Sequence, residues 1–155
     1  MSDPATISPA IVETLYEDAL QLAEEARALF DTQDARAPFD EEDTQFRIAL
    51  SCEGLRTTTR IMHAIAWLLN HRAYFAGEMT EFQLRRHGRL PPPQPEGDAR
   101  QLAMMDLYTR SIIDRSRSLY ARIERLDAAW RRHYAMQPEA VHRLRERIGQ
   151  AFAVS

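Results

Sequence analysis

The chain has 155 residues, 45% of them hydrophobic, with five glycines, one cysteine and a formal net charge of −3. That length suits one domain with a real core, the scarcity of glycine and of β-branched runs points away from sheets, and a lone cysteine excludes an internal disulfide and suits a reducing cytosol. The charge is unevenly spread: residues 1–50 carry twelve acids and three arginines (−9), residues 51–99 five and six (+1), residues 100–155 six and eleven (+5), and lysine is absent throughout. Acidic and basic helices packed side by side would account for that distribution. The basic end carries too many interleaved acids for a one-sided nucleic-acid footprint.

In chain order, Met1 to Ile7 reads as a disordered lead with neither the basic nor the apolar region of a signal peptide. Ser8 before Pro9 is a helix start, a capping hydroxyl followed by a residue whose missing N–H costs nothing at the first position. Val12, Leu15, Ala19, Leu22, Ala26 and Leu29 then recur at steps of three and four, with Glu13, Glu17, Asp18, Glu24 and Glu25 on the opposite side. A polar segment at 31–43, containing Pro38, ends this helix in a loop.

The stretch Phe46 to Phe75 lies within the longest run without proline and is predicted to be the central helix. Ile48, Cys52, Leu55, Met62, Ala66 and Leu69 follow one face, with Ile61, Ile65 and Leu68 as a second row beside it. On that reading Cys52 is a small buried thiol and Trp67 and Leu68 sit in the core belt. The apolar run Ile61 to Leu69 is far too short for a membrane span. Thr57, Thr58 and Thr59 are stiff at χ1 and are expected to bond to carbonyls one turn back.

Gly77 suits the left-handed residue after a helix, and Thr80 with Gln83 matches a capping box opening a short helix from Glu81 to His87. The proline-rich segment at 88–97 cannot be helical and favours an extended geometry. A stiff spacer between antiparallel helices outweighs a ligand for a proline-reading domain. Asp98 is the expected N-cap of a third long helix reaching Met136, with Leu102, Met105, Thr109, Ile112, Ser116, Leu119, Ile123, Leu126 and Trp130 as its seam. Thr109 and Ser116 put small hydroxyls at core positions, for close helix approach or bonds to their own carbonyls. Pro138 precedes a last helix, 139–153, with Val141, Leu144, Ile148 and Phe152 on one side. The fold class is therefore all-α: one domain, 1–155, an antiparallel bundle of three long helices with a short helix after the central one and a C-terminal helix.

No catalytic, cofactor-binding or metal residues are assigned. A di-iron bundle needs two Glu-x-x-His pairs and two further glutamates, and the chain has one such pair, Glu139 with His142. His63 and His71 stand about 12 Å apart along a helix and cannot share an ion. Ser51 and Cys52 lack the strained turn or adjacent base that activates a nucleophile, and the isolated glycines form no phosphate loop. The candidate partner surface is Tyr74, Glu78, Phe82, Arg85 and Arg86, because exposed aromatics and arginines anchor interfaces. Equally, Phe75 and Phe82 could staple the short helix to the bundle, which would move the surface to the basic face around Arg110, Arg117 and Arg125.

Several segments also resemble a known family. Leu55-Arg56-Thr57-Thr58-Thr59-Arg60-Ile61-Met62, Ala66-Trp67-Leu68-Leu69 with His71-Arg72-Ala73, Gly77-Glu78-Met79-Thr80, and Ser118-Leu119-Tyr120 with Arg122-Ile123 and Arg125-Leu126-Asp127 are similar to the regulator of CtrA degradation (RcdA) family of alphaproteobacteria. The likeness covers roughly residues 10–130 and departs from the family in the proline-rich loop and after Pro138. It implies a cytoplasmic, dimeric helical bundle without enzyme activity or cofactor. Such a protein serves as an adaptor in cell-cycle proteolysis, bringing substrates to the ClpXP protease together with a response-regulator-like primer protein. The alternatives are a DNA-associated regulator using the arginine-rich third and fourth helices and, more distantly, a metal enzyme.

Overall fold

The computed structural model describes residues 7–34, 41–135 and 138–153. Among the described residues six helices follow in order: α1 (Pro9–Asp34), α2 (Glu41–Phe75), α3 (Glu81–His87), α4 (Ala99–Ala103), α5 (Leu107–Ala135) and α6 (Pro138–Ala153). The fold is all-α, with α1, α2 and α5 packed as the three long helices. Met1 to Thr6, the connection at 35–40 with Pro38, and the side chains of Glu139, Val141 and His142 lie outside the described residues.

Helix α1 forms as its spacing predicts. The Ser8 hydroxyl accepts the Ile11 N–H at 3.3 Å, and Val12, Leu15, Ala19, Leu22 and Ala26 are buried. Two boundaries move: Ile7, read as part of the lead, is buried in the core, and the loop expected over 31–43 shortens because α1 reaches Asp34 and α2 begins at Glu41. Helix α2 ends as expected at Gly77, whose φ of 79° lets the Glu78 N–H reach the Ala73 carbonyl at 2.9 Å and the Gly77 N–H reach that of Tyr74 at 3.1 Å. Those two bonds form a Schellman cap. The Thr80–Gln83 capping box is also present.

Of the two rows of α2 expected in the core, the second, Ile61, Ile65 and Leu68, does face inward, whereas the first faces outward. Ile48, Leu55, Met62 and Leu69, expected in the core, are 59%, 69%, 60% and 44% exposed, and Cys52 is exposed with them. The buried side carries Leu50, Glu53, Thr57, Arg60, Ile61, Ala64, Trp67, Leu68 and His71. Four of these nine are polar or charged, so hydropathy alone also takes the outward row for core. Of the four, Arg60 is satisfied across the bundle, its Nη1 donating to Ser116 Oγ at 2.7 Å, and Glu53 pairs with Arg56 on its own helix; beside them Trp67 Nε1 donates across to Asp127 Oδ1 at 3.0 Å.

Those contacts also set helix directions. Arg60 meets Ser116 and Trp67 meets Asp127, so α2 and α5 run parallel. Helix α1 is antiparallel to both, since Glu13 pairs with Arg72 while Phe30 packs against Gly54, and Glu25 pairs with Arg115. The expectation of antiparallel neighbours thus holds for α1 and fails for α2 with α5. The connection must therefore retrace the bundle, and the proline-rich segment does so. Leu90 is buried beside Tyr120, the Tyr120 hydroxyl donates to the Pro91 carbonyl, and Gly97 lies against Glu53. About ten residues in extended geometry span roughly 31 Å, close to the roughly 33 Å of α2 between Glu53 and Phe75. The prolines make a strap along the bundle, not a spacer beside it.

The third long helix is broken where continuity was expected. Helix α4 ends at Ala103 and α5 starts at Leu107, with Asp106 Oδ1 accepting the Thr109 N–H at 2.7 Å. Asp106 is thus a second N-cap after Asp98. Its seam is otherwise as predicted, with Met105, Thr109, Ile112, Ser116 and Ile123 buried.

The strap generates a test. A Cβ added at Gly97 would lie 1.8 Å from Glu53 Oε1 and 3.0 Å from Arg56 Nη1, which are themselves paired at 2.7 Å. Gly97→Ala is expected to destabilise the fold by about 1–3 kcal/mol, measured by urea melts, whereas Gly149→Ala, in open space on α6, is expected to be neutral or slightly stabilising.

Candidate functional site

The buried polar residues come first, because such groups mark either sites or structural locks. Asp127, on α5, accepts Trp67 Nε1 on one oxygen and Arg131 Nε (3.1 Å) on the other. Arg131 also donates through Nη1 to the Arg85 carbonyl at 3.3 Å, so α2, α3 and α5 meet at one carboxylate. His71 is sandwiched between Trp67, with centroids 3.9 Å apart, and Trp130, at 5.6 Å. Burial pushes the His71 imidazole down to about 4 from 6.5, against the opposing pull of Asp127 and with the nearby Arg131 adding to the shift. Lower down, Arg60 is held below its ordinary range chiefly by burial and then by Arg117. The Ser116 hydroxyl that accepts Arg60 donates to its own Ile113 carbonyl at 2.7 Å, realising the bond-back expected of it. Thr57, by contrast, has no partner for its hydroxyl among the described residues, unlike the bond one turn back expected of that run.

None of this arranges a nucleophile beside a base. Among the described residues no group of three metal-ligating side chains converges, and no helix is long and apolar enough to cross a membrane. The polar contacts are side chains pairing with one another within and between helices.

The surface therefore carries what can be recognised. Of the residues singled out in the sequence, Glu78, Phe82, Arg85 and Arg86 are exposed and Tyr74 is half-buried, its ring against Phe75 with centroids 5.3 Å apart. All five lie on the end of α2, the cap that follows it and α3. Phe82 is 68% exposed and does not staple α3 to the bundle. Leu84, fully buried, does that instead. A capping box followed by one leucine on the inward side of a helix of about two turns was the available signal, masked by the larger aromatics beside it.

Two further surfaces were missed as such. One is the outward face of α2, where Ile48, Leu55, Met62 and Leu69 recur every seven residues over about 30 Å, alternating with the smaller Cys52, Thr59, Ala66 and Ala73. The other is α6, whose Leu144, Ile148 and Phe152 face solvent on one side.

The molecule is thus an all-α bundle with polar residues inside and periodic apolar side chains turned outward. The chain belongs to the family described as "Protein of unknown function (DUF1465)", whose model matches residues 4–152. No curated protein and no solved structure matches it.

The His71 shift predicts a pH response. Between about 4 and 6.5 the unfolded chain holds a proton on His71 that the folded chain does not. Stability from this residue is therefore complete above pH 6.5 and lost as pH falls towards 4. The expected loss is about 3 kcal/mol. Urea melts at pH 7.5 and 4.5 should show a smaller drop for His71→Gln than for wild type, and equal drops would refute this assignment.

Proposed function

We propose that the protein is a non-catalytic adaptor or scaffold that acts as a homodimer and helps deliver substrates for regulated proteolysis in the cytoplasm. The observation that carries the reading is the outward row of α2. A helix that turns four large apolar residues to solvent at seven-residue intervals, beside a row of small ones, is made to receive another helix. The resemblance to the regulator of CtrA degradation family supplies the direction: the ClpXP protease, its primer protein and protein substrates as partners, with no cofactor. A DNA-associated role has less support, since Arg115, Arg117 and Arg131 are paired with Glu25, Asp114 and Asp127.

The second copy is the occupant we assign to the α2 row. About a two-fold axis the two copies of α2 run antiparallel, and each large side chain lies over the partner's small one. The apolar alternation is self-complementary in that arrangement. Sedimentation equilibrium at micromolar concentration is expected to give the dimer mass for wild type and the monomer mass for Met62→Glu, with melting temperatures within a few degrees. A wild-type monomer would sink the dimer.

The adaptor role is tested separately, in the native host. Replacing Arg85 and Arg86 by glutamate, at exposed positions on α3, is expected to weaken co-purification with the protease or its primer while leaving the melt within a few degrees. Unchanged co-purification would exclude this end of the bundle as the partner surface. Absence of both proteins from the wild-type pull-down would overturn the adaptor reading.

A further inference from the structure

The bundle has three long helices, and one side of it is open. Between α1 and α5 runs a groove in two parts that meet at Arg122. The first, of about 710 Å³, is lined by Ile11, Leu126, Ala128 and Ala129 with Arg122, Arg125 and Arg132. The second, of about 380 Å³, continues past Leu119 and Asp18 to Arg115, where the Arg115–Glu25 ion pair crosses from α5 to α1 and closes it.

We propose that this groove is a docking site for an acidic amphipathic helix supplied by another protein. The floor is apolar: Ile11, Leu119 and Leu126 pack on the core yet keep part of their surface outside. From Arg115 to Arg132 the groove follows seventeen residues of α5, about 26 Å, which matches five turns of a partner helix. Lying there, that helix completes a four-helix arrangement and covers the floor.

Charge selects the occupant. Arg122, Arg125 and Arg132 are exposed and, unlike Arg115, Arg117 and Arg131, make no ion pair among the described residues. They are spaced by three and seven residues, so they form one stripe along the α5 rim. A helix with carboxylates along the edge facing that stripe, and none facing Asp18 on the α1 rim, is complementary. Arginine also suits this role through its bidentate fit to carboxylates.

The same charges argue against the nearest apolar helix, the chain's own α6. It follows α5 directly and has an open apolar side, but its sequence carries Arg143, Arg145 and Arg147 against Glu139 and Glu146. Placed in the groove, it would set a net positive helix beside three unpaired arginines. Duplex DNA is a poorer match as well, because an apolar floor between helices does nothing for phosphates.

This inference deepens the adaptor reading by giving the chemistry of a partner. Its test contains neither protease nor primer, so a failed pull-down and a failed titration are separate results. The probe is a fluorescein-labelled synthetic helix of twenty residues, with leucines at i, i+3, i+4 and i+7 and glutamates along one flank. It is titrated with the full chain and followed by anisotropy. Binding is expected to weaken at least about tenfold in Arg122→Glu with Arg125→Glu, and in Ala128→Trp, which fills the groove and leaves the charge of the rim arginines unchanged. It is also expected to weaken at high salt, with all variants melting near wild type. A lysine version of the peptide and a scrambled acidic one are expected to bind weakly or not at all. The proposal is overturned if the acidic helix does not bind wild type, if the scrambled peptide binds equally, or if the variants bind unchanged. It also fails if random duplex DNA displaces the peptide through the same arginines, or if binding emerges only after Leu144→Asp and Ile148→Asp strip the apolar side of α6.

Discussion

The hydrogen bonds that cross from α2 to α5 hold the rest of the molecule in place. Trp67 donates to Asp127 and Arg60 to Ser116, and a buried donor or acceptor left without its partner costs about 1–3 kcal/mol. A slide of α5 by one turn would break both bonds and strand the Trp67 and Arg60 donors, so these pairs specify the register where leucine-like packing alone would tolerate alternatives. They also require α2 and α5 to be parallel. Asp127 extends the constraint to α3 through Arg131, whose other nitrogen reaches the Arg85 carbonyl.

Parallel neighbours joined by a chain need a long return, and the proline-rich strap provides it. An extended segment rises about twice as far per residue as a helix, so eleven residues suffice to go back down the bundle. Leu90 and the Pro91 carbonyl fasten it to Tyr120 midway, and Gly97 lets it close against Glu53 at the far end. The strap in turn covers a buried glutamate whose Oε1 is paired with Arg56, so backbone path and interior charge depend on one another.

A polar interior has a consequence for the outside. Glu53, Thr57, Arg60 and His71 occupy positions on α2 that hydrophobic residues would otherwise fill, while Ile48, Leu55, Met62 and Leu69 of that helix lie on its outer face. The bundle thus turns periodic apolar side chains to solvent at α2 and α6 and leaves a groove between α1 and α5. Three helices enclosing a hydrogen-bonded core cannot bury these surfaces themselves, and each has dimensions that a helix from another chain can cover.

The sequence by itself determined the all-α class, most of the helices and several of their ends. Ser8, Gly77, Thr80 with Gln83, and Asp98 are local signals whose chemistry acts within one turn, and each is found at its cap. The seams of α1 and α5 were legible for the same reason, since their apolar residues share one face. The burial of Trp67 and Leu68 was legible too. What only the tertiary structure decided is which side of α2 faces inward, the parallel course of α5, the break at Asp106 and the grip of Leu84. Hydropathy measures a side chain's cost in the absence of a partner, while Arg60, Trp67 and Asp127 find theirs 56 or 60 residues away in the chain. No window along the sequence contains both members of such a pair, so the inner face of α2, and with it the outer one, exists as information only once the helices have met.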